Sequence, residues 1–196
     1  IGDPFALILP TLTPIPALFE IYLTIAVVDA VIKAATLSSR PFLVGYRLSP
    51  EEIENPGITM EDTLHLVEAL SRKQLDYLHV SVMDFWAGSM RDKKDTEARA
   101  QLNAATVGHI LPVIGVGGLH TPEEVERVLT GNIPLVAMAR ELLMEPHWLT
   151  KVKNNAVDQI RTELDVNTQN LLKIPTPLWS ALISRTGWLP LKNNQN

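Results

Sequence analysis

The chain has 196 residues, 46% of them hydrophobic and 20% charged, which is typical of a single globular domain. A formal net charge of −5, without any run of lysine or arginine, argues against nucleic acid as a partner. Cysteine is absent, which excludes disulfides, a thiol nucleophile and thiolate metal ligands and fits the cytoplasmic location that we expect.

The first 18 residues are largely apolar but match no targeting signal. Asp3 stands where a signal peptide carries basic residues, and Pro10, Pro14 and Pro16 interrupt the roughly 20 apolar residues that a spanning helix needs. We therefore expect no membrane span here and treat residues 1–18 as an atypical N-terminal segment.

An amphipathic helix is predicted from Phe19 to about Thr36. Leu23, Val27 and Val31 recur at helical spacing and would form its buried face. The period then changes in "RPFLVGYRLS", whose nearly continuous apolar run predicts a strand buried on both faces of a parallel sheet.

Strand and helix patterns alternate over the rest of the chain. The strand patterns "LDYLHVS", "LPVIGVG" and "IPLVAMA" alternate with helical patterns that start near Thr59, Thr96, Thr121 and Arg140. This order predicts an α/β fold with about four parallel βα units and right-handed crossovers. Residues 161–196 are rich in proline and tryptophan, and we expect an irregular C-terminal arm with a polar tail.

The segment "PVIGVGGLHTPEE" runs a strand through Gly115, Gly117 and Gly118 into a helix start. The purely structural interpretation is a tight turn before a helix that Thr121 and Glu124 close with a capping box. The functional interpretation is that the glycines let an anion approach the backbone N–H groups.

The next strand pattern ends at Ala139 and places Arg140 at a helix start. If the two strands are neighbours, the glycines and this arginine meet and form an anion site suited to a phosphate monoester. Alternatively, Arg140 pairs with Glu141 or Glu145. Arg47 ends an earlier strand on the same side of the sheet, where it could contact an electron-rich cofactor ring or pair with Glu51 or Glu52.

These segments resemble the old yellow enzyme family of FMN-dependent ene-reductases, in particular its NADH-dependent flavin oxidoreductase branch. The resemblance runs from about Phe19 to Trp188 through "RPFLVGYRLSPEE", "LDYLHVS", "LPVIGVGGLHTPEE", "LVAMARELLMEPHW" and "IPTPLW", in family order. It implies the C-terminal half of a (β/α)8 TIM barrel at residues 19–160, followed by the arm at 161–196.

The resemblance also implies site residues and an activity. Arg47 would contact the flavin pyrimidine edge, and the FMN phosphate would be held by the glycine-rich loop and the following strand end, that is by Gly115, Gly117, Gly118, Ala139 and Arg140. NAD(P)H would reduce the flavin, and the hydride would pass to an activated alkene as small-molecule substrate.

The chain departs from the family in length, because members are about twice as long. The early strands are missing, as are the histidine pair (or His/Asn) that holds the substrate and the tyrosine that donates a proton, so we assign no catalytic residue. We expect little activity from this chain alone. The alternative is a non-catalytic half-barrel that binds phosphate or FMN, self-associates, or pairs with a missing barrel half because its strand edges are exposed.

Other constellations carry less chemistry. The five histidines lack metal-ligand spacing, and no nucleophile motif or phosphate-binding P-loop occurs, so we expect no metal site. Phe85 and Trp86 lie in a loop on the expected cofactor side, where they could border the flavin or cover the barrel rim.

Overall fold

The structure is a computed structural model that describes residues 17–192, with side chains described from residue 21. Most of the atypical segment at residues 1–18, and the polar tail after residue 192, lie outside this range. Within it, no helix is both long and apolar enough to cross a membrane.

Four parallel strands form one sheet in the order β1-β2-β3-β4. Their bounds are Gly45–Leu48, Tyr77–Ser81, Val113–Val116 and Leu135–Ala137. Helix α1 (Ala17–Thr36) precedes the sheet, and one helix follows each strand: α2 (Met60–Ser71), α3 (Arg99–Val107), α4 (Pro122–Leu129) and α5 (Arg140–Met144). The predicted α/β fold of four parallel βα units is confirmed, and the unreversed strand order is that of consecutive strands in a (β/α)8 barrel.

The two faces of the sheet differ in burial. One face carries Leu78, Val80 and Val113, which are fully buried against α2 and α3. The other face carries a row of residues paired across the strands, namely Arg47, His79, Ile114 and Leu135. These four residues are exposed or half-buried, so this face is open in the part of the chain that the structure describes.

The prediction that the first strand is buried on both faces is wrong. Phe42 and Leu43 precede the strand and are 64% and 73% exposed, and β1 begins only at Gly45. Arg47 on the open face is exposed, whereas Leu48 on the opposite face is buried. The reason is that helices cover only one face of the sheet, whereas the face that carries Arg47 is open in the part of the chain that the structure describes.

The predicted buried face of α1 is also wrong. Leu23, Val27 and Val31 are all more than 40% exposed, whereas Val28 is buried and Ile25 and Ile32 pack against the core. The helix is apolar on both sides, so two stripes fit the helical period and the spacing alone does not select one.

The capping box predicted at Thr121 is confirmed, and the helix start predicted near Thr59 has one as well. Thr59 and Asp62 form a capping box at the start of α2, and Thr121 and Glu124 form one at the start of α4. The second box fixes the loop that follows β3, which is the glycine-rich loop.

The C-terminal arm is more regular than its sequence indicates. After α6 (Trp148–Lys153) and a 3-10 turn (Val157–Gln159) it contains α7 (Gln169–Leu172) and α8 (Thr176–Ser184). Proline stands in the first turn of α8, where a missing N–H costs nothing, so it starts the helix rather than breaking it. The arm builds a second apolar cluster with the end of α5 from Met144, Leu164, Ile174, Trp179, Leu182 and Leu189.

Candidate functional site

A pocket of about 300 Å³ opens at the carboxyl ends of the strands. Ligands bind at this end of parallel α/β sheets, because the loops that follow the strands gather there. The lining comes from all four strands or the loops after them and from the arm: Arg47, His79, Ser81, Val82, Met83, Val116, Gly117, Gly118, Leu119, His120, Ala137, Met138, Ala139, Arg140, Glu141 and Trp188. Five of the six residues predicted from the sequence are therefore brought together.

Gly115 is the sixth predicted residue, and it does not line this pocket. It lies in the middle of β3 with its Cα–H bond directed to the helix-facing side, where an added Cβ would be 2.6 Å from Cε2 of Phe85 and 3.2 Å from Cγ2 of Ile133. Successive residues of a strand point to opposite faces, so Gly115 serves close packing and we no longer assign it to the cofactor.

Gly117 explains the tight turn. Its φ of 147° is one that other residues rarely adopt, and an added Cβ would be 2.7 Å from the backbone nitrogen of Phe85 and 2.8 Å from the carbonyl oxygen of Val82. The Phe85 N–H donates to the Gly117 carbonyl oxygen at 3.0 Å. The loops after β2 and β3 thus approach each other as closely as only glycine permits.

Gly118 explains the open space next to the arginine. Its φ is 57°, and a Cβ there would stand 3.4 Å from Nη2 of Arg140 and 3.4 Å from the carbonyl oxygen of Met83. The missing side chain therefore keeps the space beside the guanidinium open on this side. The structural interpretation of the glycine motif applies to Gly117, and the open space at Gly118 is compatible with the functional one.

Arg140 forms no ion pair with a carboxylate among residues 21–192. Its Nη2 donates to the Met83 carbonyl oxygen, and its Nη1 donates to the Trp188 carbonyl oxygen at 3.4 Å. The alternative that Arg140 pairs with Glu141 or Glu145 is thus not what the structure contains. Because a guanidinium has five N–H donors and carbonyls carry no net charge, both positive charge and donors are left for an anion.

Arg47 and His79 lie side by side at the other end of the pocket. Nη2 of Arg47 donates to the Ser81 hydroxyl oxygen at 2.7 Å. Burial and, secondly, the charge of Arg47 lower the pKa of His79, so its ring is neutral near pH 7. The buried Nε2 of His79 has no hydrogen-bond partner within the described residues.

Two buried glutamates of α5 and its C-terminal end have opposite environments. Burial raises the pKa of Glu141, although Nδ1 of His120 is only 2.8 Å from its Oε2. Burial also opposes ionisation of Glu145, but Lys151 at 2.6 Å and Arg161 at 3.1 Å reverse the effect and lower its pKa. Two cations thus stabilise the ionised form of Glu145, whereas the ionised form of Glu141 has only His120, at the pocket, as a partner of opposite charge among the described residues.

Residues 22–159 match the family model of the NADH:flavin oxidoreductase / NADH oxidase family. The chain belongs to this family. It is 44% identical over 170 residues to the probable NADH-dependent flavin oxidoreductase YqiG of Bacillus subtilis (strain 168), a match that covers 86% of this chain and 46% of that protein. It is 37% identical to the NADH:acrylate oxidoreductase of Vibrio harveyi, covering 72% of this chain and 14% of that protein. It is 34% identical to the NADH:fumarate oxidoreductase of Klebsiella pneumoniae (strain 342), covering 79% and 17%.

The chain spans less than half the length of each of these three relatives. The family resemblance drawn from the sequence is confirmed by the match. The pocket of this family member thus combines, at one end, a guanidinium without a carboxylate partner among residues 21–192 beside a glycine and, at the other end, an arginine with a neutral histidine.

Sequence reasoning missed His79, His120 and Glu141 as members of the pocket. His79 could have been found from the register, because it lies directly opposite Arg47 on the neighbouring strand. His120 and Glu141 each follow a predicted anion-binding residue closely, but only the folded loops bring the two side chains together.

The aromatic pair Phe85 and Trp86 packs in and against the main core and does not line the pocket. Phe85 is 1% exposed and belongs to the main core. Trp86 packs edge-to-face against it and receives the guanidinium of Arg127 over its ring at 3.9 Å. Within the described residues the pair neither borders the pocket nor is shown at a barrel rim; it belongs to the core.

Proposed function

We propose that the protein of which this chain forms part is an FMN-dependent NAD(P)H oxidoreductase of the ene-reductase type. The observation that carries the proposal is the guanidinium of Arg140, which has no carboxylate partner in the described structure and faces the space left by Gly118. A positively charged group at a glycine-rich strand end is suited to the phosphate monoester that distinguishes FMN from riboflavin.

The phosphate half of the site would be formed by three residues. Arg140 would donate two of its remaining N–H groups to phosphate oxygens, and the backbone at Gly118 and Ala139 is accessible because neither residue has a bulky side chain. The contact of Arg140 with the Met83 and Trp188 carbonyls would hold the guanidinium in place before the ligand arrives.

The ring half of the site would be formed by Arg47, with Ser81 and His79 around it. Arg47 would donate to the pyrimidine edge of the flavin and stabilise negative charge there, while Ser81 fixes the orientation of its guanidinium. FMN, when bound, supplies the redox chemistry, taking a hydride from NAD(P)H and delivering it to the alkene.

Three relatives carry NADH in their names, which supports NADH as the reductant. The names of two of them also contain acrylate and fumarate, both alkenes activated by a carboxylate, and this supports an activated alkene as the small-molecule substrate. We also propose a cytoplasmic location, and pairing of this half-barrel with a second copy or with the other half of a barrel.

Fluorescence titration tests the flavin proposal, because flavin emission changes on binding. The 196-residue chain should bind FMN more tightly than riboflavin, and Arg140→Met should weaken FMN binding by about 10-fold to 100-fold, as expected for a lost charged hydrogen bond. Arg72→Ala, on the exposed end of α2, is the matched control and should bind FMN like the parent chain. Equal affinity for FMN and riboflavin would overturn the phosphate assignment.

An activity assay tests the second part of the proposal. With FMN, NADH or NADPH, and an enone, the chain alone should turn over far more slowly than a full-length family member. Turnover at a comparable rate would contradict the expectation that the alkene and its proton donor need residues beyond this chain.

The second candidate is a non-catalytic half-barrel that self-associates. It is favoured by the exposed stripe of Leu23, Val27 and Val31 on α1 and by the position of β1 at the edge of the sheet in residues 17–192. Exposed apolar stripes and unpaired strand edges promote association. Sedimentation at rising protein concentration should show dimers or larger species, and a monomer at every concentration would argue against this candidate.

A further inference from the structure

A histidine and a buried glutamate connect the two loops that meet at the anion pocket. His120 lies two residues after Gly118 in the loop that follows β3, and Glu141 directly follows Arg140 at the start of α5. Nδ1 of His120 and Oε2 of Glu141 are 2.8 Å apart, and both residues line the pocket. Any change of charge on this pair therefore occurs at the place where an anion would bind.

The position of His120 is fixed from three sides. Its backbone N–H donates to Oε2 of Glu124 at 2.7 Å, and its carbonyl oxygen accepts from Nε1 of Trp148 at 2.7 Å. Glu141 engages Nδ1 of the ring. With the backbone and one ring nitrogen held, Nε2 is the ring atom left for a ligand, and the side chain is 25% exposed.

The negative charges around the pair all favour a proton on it. Glu141 is 1% exposed, its Oε1 has no partner among the described residues, and Glu145 and Glu124 both repel its ionised form. A neutral histidine beside an ionised Glu141 is therefore the unfavourable form of the pair, and the uptake of one proton by that form gives an imidazolium beside the carboxylate.

The positive charges near the His120–Glu141 pair disfavour a proton on it. Arg140 and Arg47 line the same pocket, and His79, the other titratable ring there, is held neutral by burial and by Arg47. Lys151 and Arg161 are bound to Glu145 and so compensate that carboxylate rather than Glu141. A dianion beside Arg140 would offset the charge of that guanidinium and so favour a positively charged His120.

We infer that binding of a phosphate-like dianion in this pocket is coupled to the uptake of a proton by the His120–Glu141 pair, so that His120 donates from Nε2 as a further anion-binding residue. The inference rests on the proposed function, because it uses the same pocket. Its chemistry is recognition of a doubly charged oxyanion such as the phosphate of a flavin mononucleotide.

The test uses sulfate with the 196-residue chain. Sulfate remains a dianion from pH 5.5 to 8.5, whereas a phosphate monoester itself titrates near a pKa of about 6 and would obscure the protein's proton. Titration calorimetry in two buffers of different ionisation enthalpy counts the protons taken up per sulfate bound. We expect uptake approaching one proton, and an affinity that rises as pH falls by up to about tenfold per pH unit.

Three variants test whether the proton taken up on sulfate binding is held by the His120–Glu141 pair. His120→Gln and Glu141→Gln should each abolish most of the uptake while sulfate still binds through Arg140. His65→Gln, on the exposed face of α2, should leave the uptake unchanged. If a variant fails to fold, the ring resonance of His120 in the parent chain gives the same answer by NMR, because its titration midpoint should move to higher pH when sulfate is added.

The outcomes separate this inference from the proposed function. Sulfate and FMN binding without proton uptake, or uptake that persists in His120→Gln, would overturn the role of the pair and leave the phosphate site standing. A failure of both FMN and sulfate to bind at any pH would overturn the phosphate site itself, and this inference with it.

Discussion

The two ends of the pocket are built in different ways. At the β3–β4 end, the His120–Glu141 pair joins the loops after these two strands, and Arg140 donates to the Trp188 carbonyl of the arm. The hydrogen bond from Phe85 to Gly117 joins the loop after β3 to the loop after β2. At the β1–β2 end, Arg47 stands on an edge strand whose open face is exposed. The end that we propose to bind the phosphate is thus assembled from described residues of this chain, whereas the end that we propose to bind the flavin ring opens toward the edge of the sheet.

The largest effect on stability is expected at Gly117, where the loop after β3 is most closely packed. Gly117→Ala places a Cβ against two backbone atoms in a conformation with φ of 147°, and should lower the free energy of unfolding by about 2–5 kcal/mol. Gly187→Ala is the control, since φ there is 75° with nothing within 4 Å, and it should cost only about 1 kcal/mol. Urea denaturation measures both, and equal losses would mean that the crowding at Gly117 relaxes.

The next largest effect is a change in the free energy of unfolding that has opposite signs for the two buried glutamates. Glu145 has a lowered pKa, so its ionised form stabilises the fold above about pH 4.3, and that contribution is lost as pH falls through the lower folded pKa. Glu145→Gln should therefore lower the free energy of unfolding at pH 7 by about 1–3 kcal/mol. The deficit should shrink in acid.

Glu141 should behave in the opposite way. Its pKa is raised by burial, so the stability linked to its protonated form is present in acid and is lost as pH rises through the folded pKa. Glu141→Gln should thus raise the free energy of unfolding at pH 7 by about 1 kcal/mol. Urea denaturation of both variants between pH 4 and 8 checks the contrast, and a loss of the same size in both would contradict it.

A smaller effect is expected from the two capping boxes, of which the one at the start of α4 adjoins the pocket and the one at the start of α2 does not. Thr121→Ala and Thr59→Ala each remove a capping hydrogen bond and should each cost about 1 kcal/mol. Only Thr121→Ala should also weaken FMN binding, because Glu124 of that box holds the His120 backbone. If Thr59→Ala weakens FMN binding equally, the loss reports stability and not the loop.

The smallest effect is expected at the open end. Arg47→Met should reduce the affinity of this chain for FMN by less than about fivefold, since the arginine is exposed and an exposed charged contact contributes at most about 1 kcal/mol. The same fluorescence titration that is used for Arg140→Met measures it. A loss as large as that of Arg140→Met would show that the ring end is as well formed as the anion end.

Much of the fold follows from local sequence rules. Strand and helix periods, together with the capping residues Thr59 and Thr121, predict the four βα units because these signals act within a few residues. The buried face of α1 could not be predicted, because the helix is apolar on two sides and the residues that cover one side lie far away in the chain. The predicted burial of β1 is wrong because the apolar run includes Phe42 and Leu43, which precede the strand and are exposed.

The site divides in the same way. That Arg140, Gly117 and Gly118 line one pocket could be predicted, because each stands at the end of a strand pattern. The carboxyl ends of parallel strands lie at the same edge of a sheet. Gly115 faces the helix side of the sheet because successive residues of a strand point to opposite faces. Applying this alternation along β3 would have excluded Gly115 from the pocket. The His120–Glu141 contact joins residues 21 positions apart, and only the folded loops reveal it.

The hydrogen bond from Arg140 to the Trp188 carbonyl has a consequence for the order of events on the ribosome. Trp188 is synthesised 48 residues after Arg140, which at about 5–20 residues per second corresponds to a delay of roughly 2–10 s. All four strands are made before that delay begins. A nascent chain therefore has its sheet and its arginine before the arm arrives, and the anion pocket becomes complete only with the last turn of the arm.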